Sequence, residues 1–239
     1  MSTAGSPQLD LFLGILKAVR KSTGHRVPPH LTALLDAHGA PEPGDIPDAL
    51  ETAARELTTE QKAVLFANLL NLCVKDGRPT DRKLIQTARD TLRVDRSDAN
   101  DLQDAIEARS QTDYVFRKDE EWAVFCAGLT GMAQADEAEA HLEFEYLADT
   151  VAEAKHIEAG KKLLENDPNK LENGLDRFST KQKQCFTAHA MAMMFVDGDY
   201  KASEQATLEY LTEHMRLADY QQERLMKGMY TLFNLGVFA

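Results

Sequence analysis

The sequence predicts an all-α protein, a helical bundle built from repeated units of about 60 residues in which an Asp-Gly turn joins two helices. Three observations support this prediction. Apolar residues recur at intervals of three and four along most of the chain, which is the spacing of one face of an α-helix. No segment shows the alternation of apolar and polar residues that is typical of a half-buried strand. Finally, Asp-Gly, or an aspartate in the same position, follows three of the apolar segments at almost constant intervals.

Helix boundaries in the first half follow from capping residues and from glycine and proline. Pro28 opens the second helix, and a loop rich in proline and glycine follows at 39–47. Thr58 and Gln61 form a capping box ahead of the long fourth helix. Ser97 is the expected N-cap of the sixth helix. The predicted helices span residues 7–21, 28–38, 48–56, 59–75, 80–93 and 97–108.

The second half is divided by similar signals. Asn166–Pro168 and Asn173–Gly174 are expected to break the chain. Ser179 and Gln182 repeat the capping box of the first half. The apolar tail, residues 232–238, is expected to dock back onto the bundle. The predicted helices span residues 119–135, 141–159, 179–196, 201–216 and 219–235.

Acidic turns mark the repeat. Asp76, Asp136 and Asp197 are separated by 60 and 61 residues, and a glycine follows the first and the third of them. A second acidic residue stands at or near the start of the next helix in each unit: Asp81, Glu143 and Glu204. Self-similarity at a fixed period indicates a repeat architecture. Four units would account for all 239 residues, with the first unit degenerate because it lacks the acid pair.

This pattern resembles the TerB family of tellurite-resistance proteins. The matching residues are Val74-Lys75-Asp76-Gly77 with Asp81, Gln134-Ala135-Asp136 with Glu143, and Val196-Asp197-Gly198-Asp199 with Glu204. The resemblance implies two tandem TerB-like helical domains, at 1–112 and 113–239. It also implies a non-enzymatic role, acidic clusters that bind metal ions, and a place in stress-response assemblies.

The acidic corners admit two interpretations. In the first, carboxylates converge on a divalent cation, since calcium, magnesium and manganese prefer oxygen ligands. In the second, glycine ends one helix and the downstream acid stabilises the positive first turn of the next. Recurrence of the acids supports the first interpretation, because a simple stop signal would accept asparagine or serine. The candidate metal ligands are Asp76, Asp81, Asp136, Glu143, Asp197, Asp199 and Glu204.

Composition limits the function classes. The net charge is −12 and the basic residues do not cluster beyond short pairs in the sequence, which argues against nucleic acid and anionic membranes as partners. Cys73, Cys126 and Cys185 each lie inside an apolar helical segment, which is typical of reduced, buried thiols. No signal peptide and no apolar segment of about 18 residues is present, so we expect a cytoplasmic protein without membrane insertion.

No residues directly indicate catalysis: there is no nucleophile with a matched base and no phosphate-binding loop. His189 is interpreted as a hydrogen-bonded core histidine. We expect a non-enzymatic binding or scaffold protein with protein partners and a divalent cation. One alternative is a partner-docking bundle without metal, using an exposed apolar groove on a methionine-rich face (Met191, Met193, Met194, Met215) or on the tail. The other is a carboxylate–metal enzyme.

Overall fold

The computed structural model describes residues 6–23, 31, 44–135, 140–196 and 201–238. Within them the chain is helical almost throughout, which confirms the predicted all-α class. The first half holds α1 (Pro7–Thr23), α2 (Ile46–Glu56), α3 (Thr59–Cys73), α4 (Arg82–Leu92), α5 (Arg96–Ser110) and α6 (Thr112–Val115). The second half holds α7 (Asp119–Gln134), α8 (Ala140–Tyr146), α9 (Ala154–Asn166), α10 (Pro168–Asp176), α11 (Thr180–Met193), α12 (Ala202–Met215) and α13 (Asp219–Phe233). A π-helical turn, Leu147–Val151, follows α8, and a 3₁₀ turn, Leu235–Phe238, follows α13. The helix predicted at 28–38 lies outside the described residues except for Leu31.

Both predicted capping boxes are confirmed. The backbone N–H of Gln61 donates to Thr58 Oγ1 over 3.2 Å, and the N–H of Thr58 donates to Gln61 Oε1 over 3.0 Å. Ser179 and Gln182 exchange the same two bonds at the start of α11. Each glutamine also uses its amide nitrogen to anchor a distant segment. The Nε2 of Gln61 donates to the carbonyl of Val237, and that of Gln182 donates to the carbonyl of Val115.

The two halves share one hydrophobic core. Helix α13 packs against α3 and α5 of the first half and against α11 of the second. Helix α11 in turn packs against α5 and α7. Buried phenylalanines from both halves, such as Phe66 and Phe186, belong to the same apolar cluster. The division into two domains near residue 112 stays a prediction.

The C-terminal tail docks onto the bundle, as the sequence predicts. The rings of Phe12 and Phe238 lie 4.4 Å apart between centroids. The Oγ of Ser6 donates to the carbonyl oxygen of Phe238 over 2.9 Å. Just upstream, Asn68 Nδ2 donates to the carbonyl of Leu232 over 3.1 Å. These contacts tie the last described residues to α1 and α3.

A small hairpin follows α3, which the sequence analysis does not predict. Strands β1 (Val74–Lys75) and β2 (Arg78–Pro79) pair antiparallel across the turn at Asp76–Gly77. Both turn residues have positive φ, 52° at Asp76 and 71° at Gly77. A two-residue hairpin turn of this kind favours Asp-Gly because both central positions need left-handed backbone. Thus the dipeptide ends the helix by closing a hairpin.

The helix predicted at 141–159 is interrupted. Helix α8 ends at Tyr146, the π-helical turn follows, and Ala152 and Glu153 have extended backbone before α9 begins. The interruption allows α9 to pack along α7. At the crossing, a Cβ on Gly160 would lie 2.6 Å from Cβ of Cys126 and 2.7 Å from the backbone nitrogen of Ala127. Periodicity alone does not show this change of direction, because both pieces are apolar on one face.

Several predicted boundaries differ from the observed ones by two or three residues, as at the ends of α3, α11 and α13, and three differences have a specific physical reason. Asn173–Gly174 does not break the chain, because α10 runs through it and Gly174 meets the side chain of Val124. The N-cap of α5 is Asp95 and not Ser97, since Asp95 Oδ1 accepts from the Ser97 N–H over 2.7 Å. Helix α2 begins at Ile46, two residues early, because a proline is tolerated in the first helical turn.

Candidate functional site

The first acidic corner, between α3 and α4, is built as helix punctuation. Asp81 is the N-cap of α4, and its Oδ1 accepts from the backbone N–H of Leu84 over 2.9 Å. Asp76 is exposed at the tip of the hairpin turn. The corner is fixed by other groups: the N–H of Gly77 donates to Ser110 Oγ, and Thr80 donates to the carbonyl of Cys73. These contacts support the capping interpretation for Asp81.

The second half places two glutamates inside the protein. Glu143, on α8, has an exposed fraction of 0%, and Glu204, in the first turn of α12, has 1%. Glu204 Oε2 accepts from the backbone N–H of Lys201 over 3.2 Å, so this carboxylate also caps its helix. Helices α8 and α12 both pack against α7. Two of the three downstream acids of the predicted repeat are therefore in the interior, whereas Asp81 in the first half is only partly buried.

The remaining candidate ligands, Asp136, Asp197 and Asp199, lie outside the described residues. Within the described part of the chain, no group of three or more His, Cys, Asp or Glu side chains is arranged to hold a metal ion. A cation site in the second half would therefore need aspartates of the preceding turns together with Glu143 or Glu204.

A buried polar chain crosses the core near these helices. Arg109 Nη1 donates to the hydroxyl oxygen of Tyr146 over 3.4 Å, and that hydroxyl lies 2.9 Å from Nδ1 of His189. The Nε2 of His189 lies 2.8 Å from Thr112 Oγ1, which donates to the carbonyl of Arg109 over 3.1 Å. Each of these four side chains has at least one hydrogen-bond partner when His189 is neutral and carries its proton on Nε2. Among the described residues, Arg109 Nε is buried and has no hydrogen-bond partner. Arg109 also donates to the side-chain oxygen of Asn71.

This environment decides the protonation states. Burial, followed by the positive charge of Arg109, lowers the pKa of His189 to about 3. Burial raises the pKa of Tyr146, and Arg109 opposes that rise. Burial also raises the pKa of the Cys185 thiol to about 12. The histidine is therefore neutral at physiological pH, and the prediction of a hydrogen-bonded core histidine is confirmed.

The sequence analysis identifies only one member of this chain. Arg109 falls just beyond the helix predicted at 97–108, and Thr112 falls in the segment between the predicted halves. A signal exists for Tyr146, because it follows Glu143 by three residues and therefore shares its helix face. Both side chains are buried in the structure.

The cysteines and methionines are core residues. All three cysteines are free and buried, as predicted. The docking alternative places an exposed apolar groove on the methionine-rich face or on the tail. Burial of the methionines contradicts the first place, whereas Leu235 and Val237 of the tail are only partly buried, so the second stays a prediction. The tail residues Leu232 and Phe238 are buried. So are the four methionines proposed to form that face: Met191, Met193, Met194 and Met215.

Comparison with protein-family models, with curated proteins and with solved structures finds no match to this chain. In the described ranges, none of the helices combines the length and the apolar character needed to cross a membrane.

Proposed function

We propose that the chain is a non-enzymatic, TerB-like binding protein that acts as a scaffold in a bacterial stress response and binds a divalent cation in its second half. The single observation that supports the cation site is the burial of Glu143 and Glu204 at equivalent positions of the predicted repeat. Calcium, magnesium or manganese would be the ion, because these cations prefer carboxylate oxygens. Protein partners follow from the scaffold role.

The energetic argument compares these glutamates with a plain helix cap. Burying a carboxylate away from water costs roughly several kcal/mol of free energy, unless a nearby charge or strong hydrogen bonds offset this cost. Capping alone does not require this cost, since Asp81 caps α4 from a partly exposed position. In the proposed site, a divalent cation supplies a nearby positive charge to these buried carboxylates. Asp136, Asp197 and Asp199 complete the proposed ligand set.

Thermal unfolding of the full chain tests the cation site. The protein is first stripped with EDTA and dialysed, and is then measured in millimolar calcium, magnesium or manganese. A cation at a hundredfold excess over its Kd stabilises the folded state by about 2.7 kcal/mol. For a chain of 239 residues, we expect this gain to raise the midpoint by several degrees.

Isosteric variants separate binding from capping. Glu143→Gln and Glu204→Gln keep the size of each side chain, and glutamine at the third helical position still accepts a capping bond. Both variants are expected to lose the cation-dependent rise in midpoint. The matched control is Asp81→Asn, which removes a carboxylate from the first corner and retains a good N-cap. Its cation response should equal that of the parent chain.

A midpoint that no cation changes would contradict the proposed site. The glutamates would then act as caps and core groups, and the result would favour the alternative of a partner-docking bundle that binds no metal. An equal loss of response in Asp81→Asn and in the glutamine variants would also contradict it, because the effect would then reflect net charge and not position.

A further inference from the structure

A groove of about 890 Å³ lies between α4 and α5, with α3 beneath it. Phe66 of α3 contributes to its wall, together with Ile85 of α4 and Ala99 of α5. A volume of this size is in the range of small-molecule sites. The groove lies in the first half, apart from the glutamates of the proposed cation site.

Arginines dominate the polar lining. The groove is lined by four of them and by a single acidic residue, Glu107, although the whole chain carries a net charge of −12. Helical spacing explains why these side chains line one groove, since residues three, four and seven apart share a helix face. Helix α4 contributes Arg82, Ile85, Gln86 and Arg89, and helix α5 contributes Arg96, Ala99, Asn100, Gln103 and Glu107. Strand β2 adds Arg78.

Most of these cations are available to a ligand. Arg89 forms an ion pair with Asp90, its neighbour in sequence, with Nη2 2.7 Å from Oδ1. In the part of the chain that the structure describes, Arg78, Arg82 and Arg96 are exposed and none has a carboxylate within 4.0 Å. The carboxylate of Glu107 is engaged by Gln103, whose Nε2 donates to Oε1 over 2.6 Å. Glu107 keeps its negative charge in this bond, but the arginines outnumber it, so the lining carries a net positive charge.

The positive charge occurs at two ends of the groove. Residues 93–95 join α4 to α5, and at the other end of α5 its last residue, Ser110, accepts from the N–H of Gly77, just before Arg78. Arg89 and Arg96 lie next to this connection, and Arg78 and Arg82 lie toward the far end. Seven residues of helix separate Arg82 from Arg89, which corresponds to about 10 Å.

We propose that this groove binds a small organic polyphosphate. A guanidinium group binds phosphate through two parallel hydrogen bonds, which makes arginine the preferred residue for this recognition. The amides of Gln86 and Asn100 provide donors and acceptors for the uncharged part of the ligand. A polymeric anion would need a long basic surface. Here four arginines line one groove of a chain whose net charge is −12.

Titration calorimetry on the full chain tests the assignment, in metal-free buffer so that the cation site plays no part. The probes are inorganic triphosphate and adenosine triphosphate, each at constant ionic strength. The double variant Arg82→Gln/Arg96→Gln removes one arginine from each end of the groove. Because each charged hydrogen bond contributes substantially to binding, we expect the affinity to fall by more than about tenfold.

The matched control is Lys83→Gln/Arg93→Gln. This variant also removes two positive charges, one from α4 and one from its C-cap residue, and neither residue lines the groove. Its affinity should stay within about twofold of the parent chain. A second control should change the affinity in the opposite direction. Glu107→Gln removes the acidic residue from the lining and should tighten binding several-fold.

The proposal would be overturned by no measurable binding of either probe, by equal weakening in the two double variants, or by no strengthening in Glu107→Gln. Tighter binding of a single-stranded oligonucleotide or of a polyglutamate peptide than of adenosine triphosphate would also overturn it, since the ligand would then be a polymer. Thermal unfolding of each variant confirms that the fold is intact.

Discussion

The hydroxyl of Tyr146 lies 2.9 Å from Nδ1 of His189, and this contact joins the end of α8 to the middle of α11. Arg109 donates to the same hydroxyl, so Tyr146 uses its own proton to bond the imidazole. A second proton on the imidazole would face that O–H donor. The geometry thus agrees with the low pKa that burial and Arg109 give His189.

The first prediction concerns stability in mild acid. The pKa of His189 is about 3 in the folded state, and an unfolded histidine titrates near 6.5. As the pH falls below about 6.5, the unfolded state binds a proton that the folded state does not, so stability decreases. We expect a loss of roughly 1.5 kcal/mol between pH 6.5 and pH 5, measured by urea unfolding at each pH.

Two substitutions isolate the contribution of His189. His189→Gln should be less stable than the parent chain at neutral pH, but the part of the pH dependence due to this residue should disappear. His141→Gln changes an exposed histidine and should leave the pH dependence in place. If both variants retain the full slope, the effect does not come from His189.

Local sequence signals predict the structure correctly where residues close together in the chain determine it. Thr58 with Gln61 and Ser179 with Gln182 open their helices as predicted, because a capping box involves only four consecutive residues. Gly174 misleads because the same residue type ends helices and permits close packing, and only the position of Val124 shows which applies. The turn at Asp76–Gly77 is predicted, but the hairpin around it is too short to have a periodicity.

The candidate sites also depend on tertiary packing that the sequence does not show. The burial of Glu143 and Glu204 depends on which helices cover them, so the spacing of the acids predicts their equivalence but not their environment. Positive charge in the α4–α5 groove is overlooked in the sequence because Arg82 and Arg96 are well separated along the chain. It becomes a cluster only when two helices turn matching faces toward one space.

The second prediction tests the role of Asp81 as a cap. Asp81→Ala removes the oxygen that accepts from the Leu84 N–H, and the free energy of unfolding should fall by about 1 kcal/mol. Asp81→Asn should recover most of this loss, because asparagine is an equally good N-cap. Urea unfolding with EDTA and with added cation should give the same difference. A loss that appears only with cation would assign Asp81 to a metal site.

The third prediction concerns Gly174, where a Cβ would lie 2.4 Å from Val124 Cγ2. In a free helix, glycine to alanine stabilises by roughly 0.5–1 kcal/mol, but the overlap should reverse the sign and cost about 1–3 kcal/mol. Adding Val124→Ala should recover part of that cost in a double-mutant cycle, since the two residues touch. Gly44→Ala serves as the control, because nothing lies within 4 Å of the added methyl. Equal effects at both glycines would contradict the packing argument.

The last prediction concerns the ionic contact between α13 and α5. Arg224 contacts two aspartates: its Nε lies 2.7 Å from Asp101 Oδ1, and its Nη2 lies 2.5 Å from Asp104 Oδ2. Lys227 also contacts two, since its Nζ lies 2.5 Å from Asp98 Oδ1 and 3.5 Å from Asp101 Oδ2. Asp101 is the only one of these aspartates that contacts both cations, and its side chain is the most buried of them.

Because Asp101 is shared, its removal should weaken both ion pairs at once. Asp101→Asn is expected to lower the free energy of unfolding by about 1 kcal/mol in dilute buffer, and Asp104→Asn by less, because an exposed pair contributes little. In about 1 M salt, where the screening length is near 3 Å, the difference between the two variants should shrink. Urea unfolding at both salt concentrations measures this. A difference that salt does not change would mean that Asp101 acts through packing or uncharged hydrogen bonds and not through its charge.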